Sequence, residues 1–179
     1  MKKFLKYSFL ALLILFLTRG WIFRQLVTYN TQTERPAFSL TNEALTQSIE
    51  NQQIDTSIQS IIRRSLVFTT DNLCFTFENC DTDPNLLFAS QKTNCTGYAA
   101  FFNTTCQTLL RKEKLENRFR VKHLRGKLTL LGFDLHRLTD SPFFRDHDFN
   151  VVEDLETGNK IYVDASLQDV FGIGFVSGE

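Results

Sequence analysis

From Tyr98 onward the chain commits to a helix with one buried face, and the rest of the soluble part has to be arranged around it. The apolar residues fall at Tyr98, Phe101, Phe102, Cys106, Leu109 and Leu110, the i, i+3, i+4 spacing of an amphipathic helix. Thr93 or Asn94 supplies an N-cap, and the basic residues Arg111, Lys112 and Lys114 mark the far end. Cys95 therefore lies in the first turn, beside backbone N–H groups without helical partners and at the positive end of the helix dipole. That environment favours a thiolate. The same N–H groups are suited to an oxyanion. Gly97 removes a side chain next to the thiol, so substrate or a neighbouring strand can approach closely. A buried structural cysteine is the competing reading of any lone Cys; the cap position argues against it here.

Two later segments supply the partners a nucleophilic thiol needs. In Asp146-His147-Asp148-Phe149-Asn150-Val151-Val152 the apolar residues alternate after His147, which places His147 at the opening of a half-buried strand. A turn at Glu156-Thr157-Gly158-Asn159 follows, then a second strand, Lys160-Ile161-Tyr162-Val163-Asp164. The hairpin brings His147 beside Asp164, whose carboxylate accepts the second imidazole N–H and fixes the tautomer. His123 and His136 serve as internal controls. They lie in similar β-type runs, Phe119 to Leu124 and Leu128 to Leu138, and neither is followed by a segment ending in a well-placed carboxylate.

The chain resembles the transglutaminase-like superfamily, a papain-related α+β fold, in three motifs: Cys95-Thr96-Gly97-Tyr98, His147-Asp148-Phe149-Asn150 and Tyr162-Val163-Asp164-Ala165-Ser166. They occur in order and span about residues 60 to 170. The resemblance implies N-terminal helices and a catalytic helix packed on an antiparallel β-sheet, with Cys95, His147 and Asp164 as a Cys-His-Asp triad. There are departures. The residue after the His is usually small in that family and here is Asp148, and Phe149 stands where Trp is common. A negative charge at Asp148 beside His147 would favour an imidazolium.

Lys2, Lys3 and Lys6 precede the apolar run Tyr7 to Leu17, and Arg19 and Arg24 follow it. An 11-residue core, apolar but for Ser8, matches a signal peptide better than a spanning helix. However, no A-x-A site follows, and Trp21, Ile22 and Phe23 carry the apolar character past Arg19. The favoured reading is an uncleaved signal-anchor over residues 1–28 with a cytoplasmic N-terminus, then a polar linker at 29–36 and an exported domain at 37–179; a cleaved signal peptide is the alternative. The domain is large enough for a real core. Its 18 Phe and 42% hydrophobic content suit a globular fold, while zero net charge gives no reason to expect nucleic acid.

Ala44, Leu45 and Ile49, then Ile54, Ile58, Ile61, Ile62 and Leu66, predict one or two helices behind the Cys95 helix, capped by Ser39 or Thr41. Asp81-Thr82-Asp83-Pro84-Asn85 reads as a solvated turn rather than a calcium loop. In an exported domain Cys74 and Cys80 are spaced to close a disulfide loop, and Cys106 reads as core. No C-x-x-C pair points to zinc, and no cofactor is called for.

Two functional classes follow. In the first, an enzyme, Cys95 attacks a carbonyl, His147 moves protons and Asp164 orients it; Gln91, four residues upstream, is a candidate oxyanion donor. The reaction is amide hydrolysis or transglutaminase-type transfer on a peptide or protein. In the second, the same fold binds peptide or envelope polymer at the membrane without turnover. Metal-assisted hydrolysis through Asp134, His136 and His147 ranks below both, because it leaves Cys95 without a role.

Overall fold

The computed structural model describes residues 2–137 and 146–179, with the side chains of Lys2, Lys3 and His136 outside the described set. Helix α1 (Lys2–Leu26) runs directly into strand β1 (Val27–Arg35). Then come α2 (Glu43–Glu50), α3 (Ile58–Asn72), β2 (Cys74–Phe75), α4 (Pro84–Ser90), β3 (Lys92–Thr93) and α5 (Cys95–Lys112). The C-terminal half holds β4 (Phe119–Leu130), β5 (Phe133–Asp134), β6 (His147–Asp154), β7 (Lys160–Val163), α6 (Ala165–Phe171) and β8 (Phe175–Gly178).

Five strands close on themselves in the circuit β1-β8-β7-β6-β4, with β1 also paired to β4. This corrects the expected papain-like arrangement of helices on an antiparallel sheet: the molecule is a mixed α/β protein built on a closed five-stranded barrel with six helices among the described residues. Closure depends on β1. It pairs antiparallel with β4 from Val27↔Leu130 to Arg35↔His123, and parallel with β8 at Thr28↔Ser177 and Tyr29↔Gly178. Residues 29–36, read from their polarity as a linker, thus mostly belong to a barrel stave. The segment looks polar because only one face of it is buried: Val27 and Tyr29 point inward, and the polar residues between and beyond them are the more exposed ones. A pair of barrel strands also passes close at Gly126, where any Cβ would strike the Asn30 carbonyl and the Phe149 ring.

Two apolar clusters follow from strand alternation. Tyr29, Leu124, Leu128, Phe149, Val151 and Val176 fill the barrel, joined by Leu167 of α6. On the outer wall Phe119, Val121, Val152 and Val163 meet α5, which α2 and α3 cover from the other side with Leu45, Ile49, Ile61, Ile62 and Leu66. Sandwiched in this way, α5 buries more than its apolar stripe: Thr104, Thr105 and Thr108 are buried too. Each fully buried Phe or Leu here contributes about 1.5–3 kcal/mol relative to exposure.

Several local expectations hold. The hairpin pairs Asn150↔Val163 through Glu153↔Lys160, with Gly158 at φ 74° in its turn. The two helices before α5 exist, but their caps are Asn42 and Ser57 rather than Ser39 or Thr41. The turn at Asp81–Asn85 starts a helix: the Asp83 carboxylate accepts from the Asn85 amide and Pro84 takes the first helical position.

Candidate active site

Asn94 caps α5, its side-chain oxygen accepting from the backbone amides of Thr96 and Gly97. Cys95 is therefore the first residue of the helix, as its sequence context predicts. The cap takes the Thr96 and Gly97 amides, so the first-turn N–H it leaves for an oxyanion is that of Cys95 itself. Gly97 makes room for a neighbouring strand: a methyl group there would overlap the Thr93 side chain of β3. Asn150 locks α5 to the barrel, donating from Nδ2 to the Ala99 carbonyl at 3.1 Å.

His147 opens β6 and Asp164 follows β7, one step past the pair Asn150↔Val163. Both are fully buried, and His147 Nε2 lies 2.6 Å from Asp164 Oδ2. The Cys95 side chain lies near enough to the same imidazole to favour its positive form. Burial works against a charge on His147, but the Asp164 carboxylate and then Cys95 outweigh it and raise the imidazole above its ordinary pKa. Burial likewise opposes the Asp164 carboxylate, which His147, the Leu167 amide and Tyr29 hold below its usual range. Asp164 Oδ1 accepts from Ser166 Oγ at 2.7 Å and from the Leu167 amide at 2.9 Å, so the residue that orients the imidazole also caps α6.

Tyr29 completes this cluster, and reading residues 29–36 as a linker hid it. Its hydroxyl donates to Asp164 Oδ2 at 2.7 Å, and its ring meets His147 edge-on at 5.7 Å between centroids. Burial first, then the nearby carboxylate, keep the phenol protonated well beyond its ordinary range. The signal available in the sequence was Tyr29 alternating with Val27 just after the apolar N-terminus.

Asp148 does not act on His147 as its adjacency suggested. Successive residues of β6 face opposite sides of the sheet, so Asp148 points toward α5 while His147 points into the barrel. There it forms a salt bridge with Arg35 Nε, accepts from Arg35 Nη2 at 3.1 Å and from Thr96 Oγ1 at 2.9 Å, and lies 2.9 Å from His123 Nε2. Burial would push the Asp148 carboxyl up, but hydrogen bonds from His123 and Arg35 pull it below its usual value. His123, the internal control, thus has a carboxylate partner after all. It comes from the neighbouring strand, not from the following segment, and the pair braces the α5 N-terminus from beneath.

The remaining candidates are placed elsewhere. Gln91 is exposed at the end of α4 in a left-handed backbone conformation (φ 59°), where its carbonyl accepts from the Cys74 amide at 2.6 Å. All four cysteines are thiols: Cys74 is exposed, Cys80 lies within 3.7 Å of Thr93 Oγ1, and Cys106 is buried. Burial pushes the Cys106 thiol up to about 12, against an opposing influence of nearby Ser65. Asp134 pairs with Lys127 at 3.5 Å and the His136 side chain lies outside the described residues. Among the described residues no group of three His, Cys, Asp or Glu side chains is placed to hold a metal ion.

α1 contains a 23-residue stretch, Phe4–Leu26, that is long and apolar enough to cross a membrane or to act as a signal sequence. Its side chains from Phe4 to Leu17 are mostly exposed. Compared with models of known protein families and with curated proteins, the chain matches none. The resemblance to the transglutaminase-like superfamily therefore rests on the three short motifs alone.

Proposed function

We propose that this chain is a membrane-anchored, cysteine-dependent acyl-transfer enzyme. The observation that carries the reading is the buried His147 imidazole, with Nε2 2.6 Å from the Asp164 carboxylate and the Cys95 thiol near enough to influence its charge. Each group has a role in amide chemistry. The Cys95 proton is carried on His147 when the sulfur attacks a carbonyl carbon. The negative charge on the carbonyl oxygen is met by the Cys95 backbone N–H at the start of α5. Collapse of the tetrahedral intermediate expels the amine, which takes its proton from His147 and leaves a thioester on Cys95. Water or a second amine then enters by the reverse of these steps, giving hydrolysis or transfer. Asp164 keeps the imidazole in one orientation and stabilises its positive form. Tyr29 and Ser166 hold Asp164 in turn. The substrate class is a peptide or protein amide.

In this reading α1 is an uncleaved signal-anchor with its N-terminus in the cytoplasm and the barrel domain outside it, with secretion after signal cleavage as the alternative. Retention is favoured by the way α1 is tied to the domain: Arg19 Nε donates to the Phe171 carbonyl at 2.8 Å and Ser177 Oγ donates to the Arg24 carbonyl at 2.8 Å.

The decisive experiment is labelling of the full-length protein with an electrophilic acyl probe, followed by mapping of the modified residue. Modification at Cys95 that disappears in His147→Ala is the expected result. Equal labelling of exposed Cys74 and Cys95, with no dependence on His147, would leave the binding-module reading in its place.

A further inference from the structure

Among the described residues most of the large exposed apolar side chains belong to α1, but four outside it gather around the end of that helix. They are Leu131 (66% exposed), Phe133 (73%), Val170 (53%) and Phe171 (60%). Two hydrogen bonds fix them there. The Leu131 amide donates to the Leu26 carbonyl at 2.8 Å, bringing the β4–β5 turn against the last residue of α1. Arg19 Nε donates to the Phe171 carbonyl at 2.8 Å, bringing the end of α6 against the same helix about 10 Å further toward its N-terminus.

We infer that this barrel end, through Val170 and Phe171 on α6, Leu131 on the β4–β5 turn and Phe133 at the start of β5, docks into the interface of a lipid bilayer. The inference rests on α1 being inserted in a membrane, as proposed above. Given that, the position of α6 follows from Arg19. This residue lies inside the 23-residue apolar span, seven residues from its end, and the cost of burying its charge in acyl chains draws it toward the membrane edge. Its guanidinium is accommodated by the Phe16 and Phe171 carbonyls and lies over the Phe16 ring at 4.3 Å. Whatever depth Arg19 takes, Phe171 shares it. The β4–β5 turn makes the same point independently. Leu131 has φ 50°, a left-handed conformation that a γ-branched residue adopts at a cost, followed by Gly132 at φ 81°. Asn or Asp would suit that turn position in water; a leucine at 66% exposure suits a surrounding of acyl chains and headgroups. Trp21, exposed at 61% on the stretch of α1 between Arg19 and Leu26, has the amphipathic ring typical of such a boundary.

Docking at this end has a consequence for the substrate. α6 begins at the Asp164 cap and ends at Phe171, a length of about 10 Å. Tyr29 lies three residues beyond Leu26. The candidate site is thus carried at the membrane-facing end of the barrel, and an amide it acts on would be presented close to the bilayer surface, as in a juxtamembrane segment or a lipid-linked peptide.

The test is tryptophan quenching in full-length protein reconstituted into phosphatidylcholine vesicles with and without brominated acyl chains. Trp21 is the only native Trp, so single reporters are placed in a Trp21→Phe background. The set is Leu13→Trp in the apolar helix, Phe171→Trp, Phe133→Trp, and Leu155→Trp on the β6–β7 turn at the opposite end of the barrel. The expected result is at least a twofold loss of emission for the first three and little loss for Leu155→Trp. If Leu13→Trp is quenched but Phe171→Trp or Phe133→Trp stays at the Leu155→Trp level, docking is overturned and the anchor stands. If Leu13→Trp is not quenched either, the anchor reading fails and docking with it.

Discussion

Tyr29 and His147 share a single oxygen, Oδ2 of Asp164, at 2.7 and 2.6 Å. One comes from the strand that leaves the N-terminal helix and the other from the strand that opens the hairpin, so the carboxylate is gripped from both sides of the barrel. Replacing Tyr29 by Phe removes a hydrogen bond to a charged acceptor in a dry site, worth about 1.5–3 kcal/mol. Tyr29→Phe should lower the melting temperature by several degrees and slow probe labelling of Cys95 by about tenfold. A labelling rate equal to wild type would show that Asp164 needs only His147 to stay in place.

Cys95 and Cys106 lie on the same helix in opposite situations, one at a partly exposed N-terminus and the other fully buried. Cys95→Ala should abolish labelling and leave thermal stability nearly unchanged. Cys106→Ala truncates a fully buried, packed side chain, so it should destabilise by about 1–2 kcal/mol while labelling continues. Denaturant melts of the two variants, run beside mass mapping of the probe, separate the outcomes. If Cys95→Ala is the more damaging of the two, Cys95 is a core residue.

The chain displays its local elements well and its long-range closures poorly. Alternation after His147, the Gly158 turn and the i, i+3, i+4 spacing from Tyr98 are signals carried by neighbouring residues, and all three became the elements they predict. Strand β1 carries only a short signal of this kind, Val27 alternating with Tyr29, because a stave with one wet face otherwise reads as a polar segment. Its burial becomes visible only when β4 and β8 are in place on either side. The same holds for charge. Asp148 stands next to His147 in sequence, yet its partners are Arg35 and His123, each supplied by a different barrel strand. Adjacency in a strand puts two side chains on opposite faces, so the nearest residue in sequence was the wrong one to pair. His147 and Asp164 were legible as partners because a hairpin joins them; Tyr29 was not, because 135 residues separate it from Asp164.

The Arg35, His123 and Thr96 cluster on Asp148 gives a prediction about position rather than chemistry. Removing the carboxylate leaves the buried His123 and the half-buried Arg35 without their acceptor, at about 3–5 kcal/mol. Asp148→Ala should therefore unfold at markedly lower temperature or denaturant concentration. Thr96→Val is the milder probe. It deletes one hydrogen bond from the first turn of α5 and should slow Cys95 labelling severalfold with about 1 kcal/mol lost. Unchanged labelling in Thr96→Val would mean that the Asn94 cap alone sets the position of the thiol.

The pH dependence follows from the sign of the His147 shift. Burial alone would lower its pKa, but Asp164 and Cys95 raise it from 6.5 in the unfolded chain to about 10 in the folded one. A group raised on folding gives its full stabilisation below the unfolded pKa and loses it as pH climbs through the folded pKa. The His147 contribution is therefore complete below pH 6.5 and fades toward pH 10, so wild type should lose stability relative to His147→Asn across that interval. The same proton sits on the group that must protonate the departing amine, so any turnover should decline on the alkaline side of this range and not near pH 6.5. Asp164→Asn is the control. It removes the charge that raises the imidazole, should shift the alkaline decline to lower pH, and should reduce the rate by about three to four orders of magnitude through loss of the useful imidazole orientation. An alkaline limb that stays fixed in Asp164→Asn would assign the decline to a group other than His147.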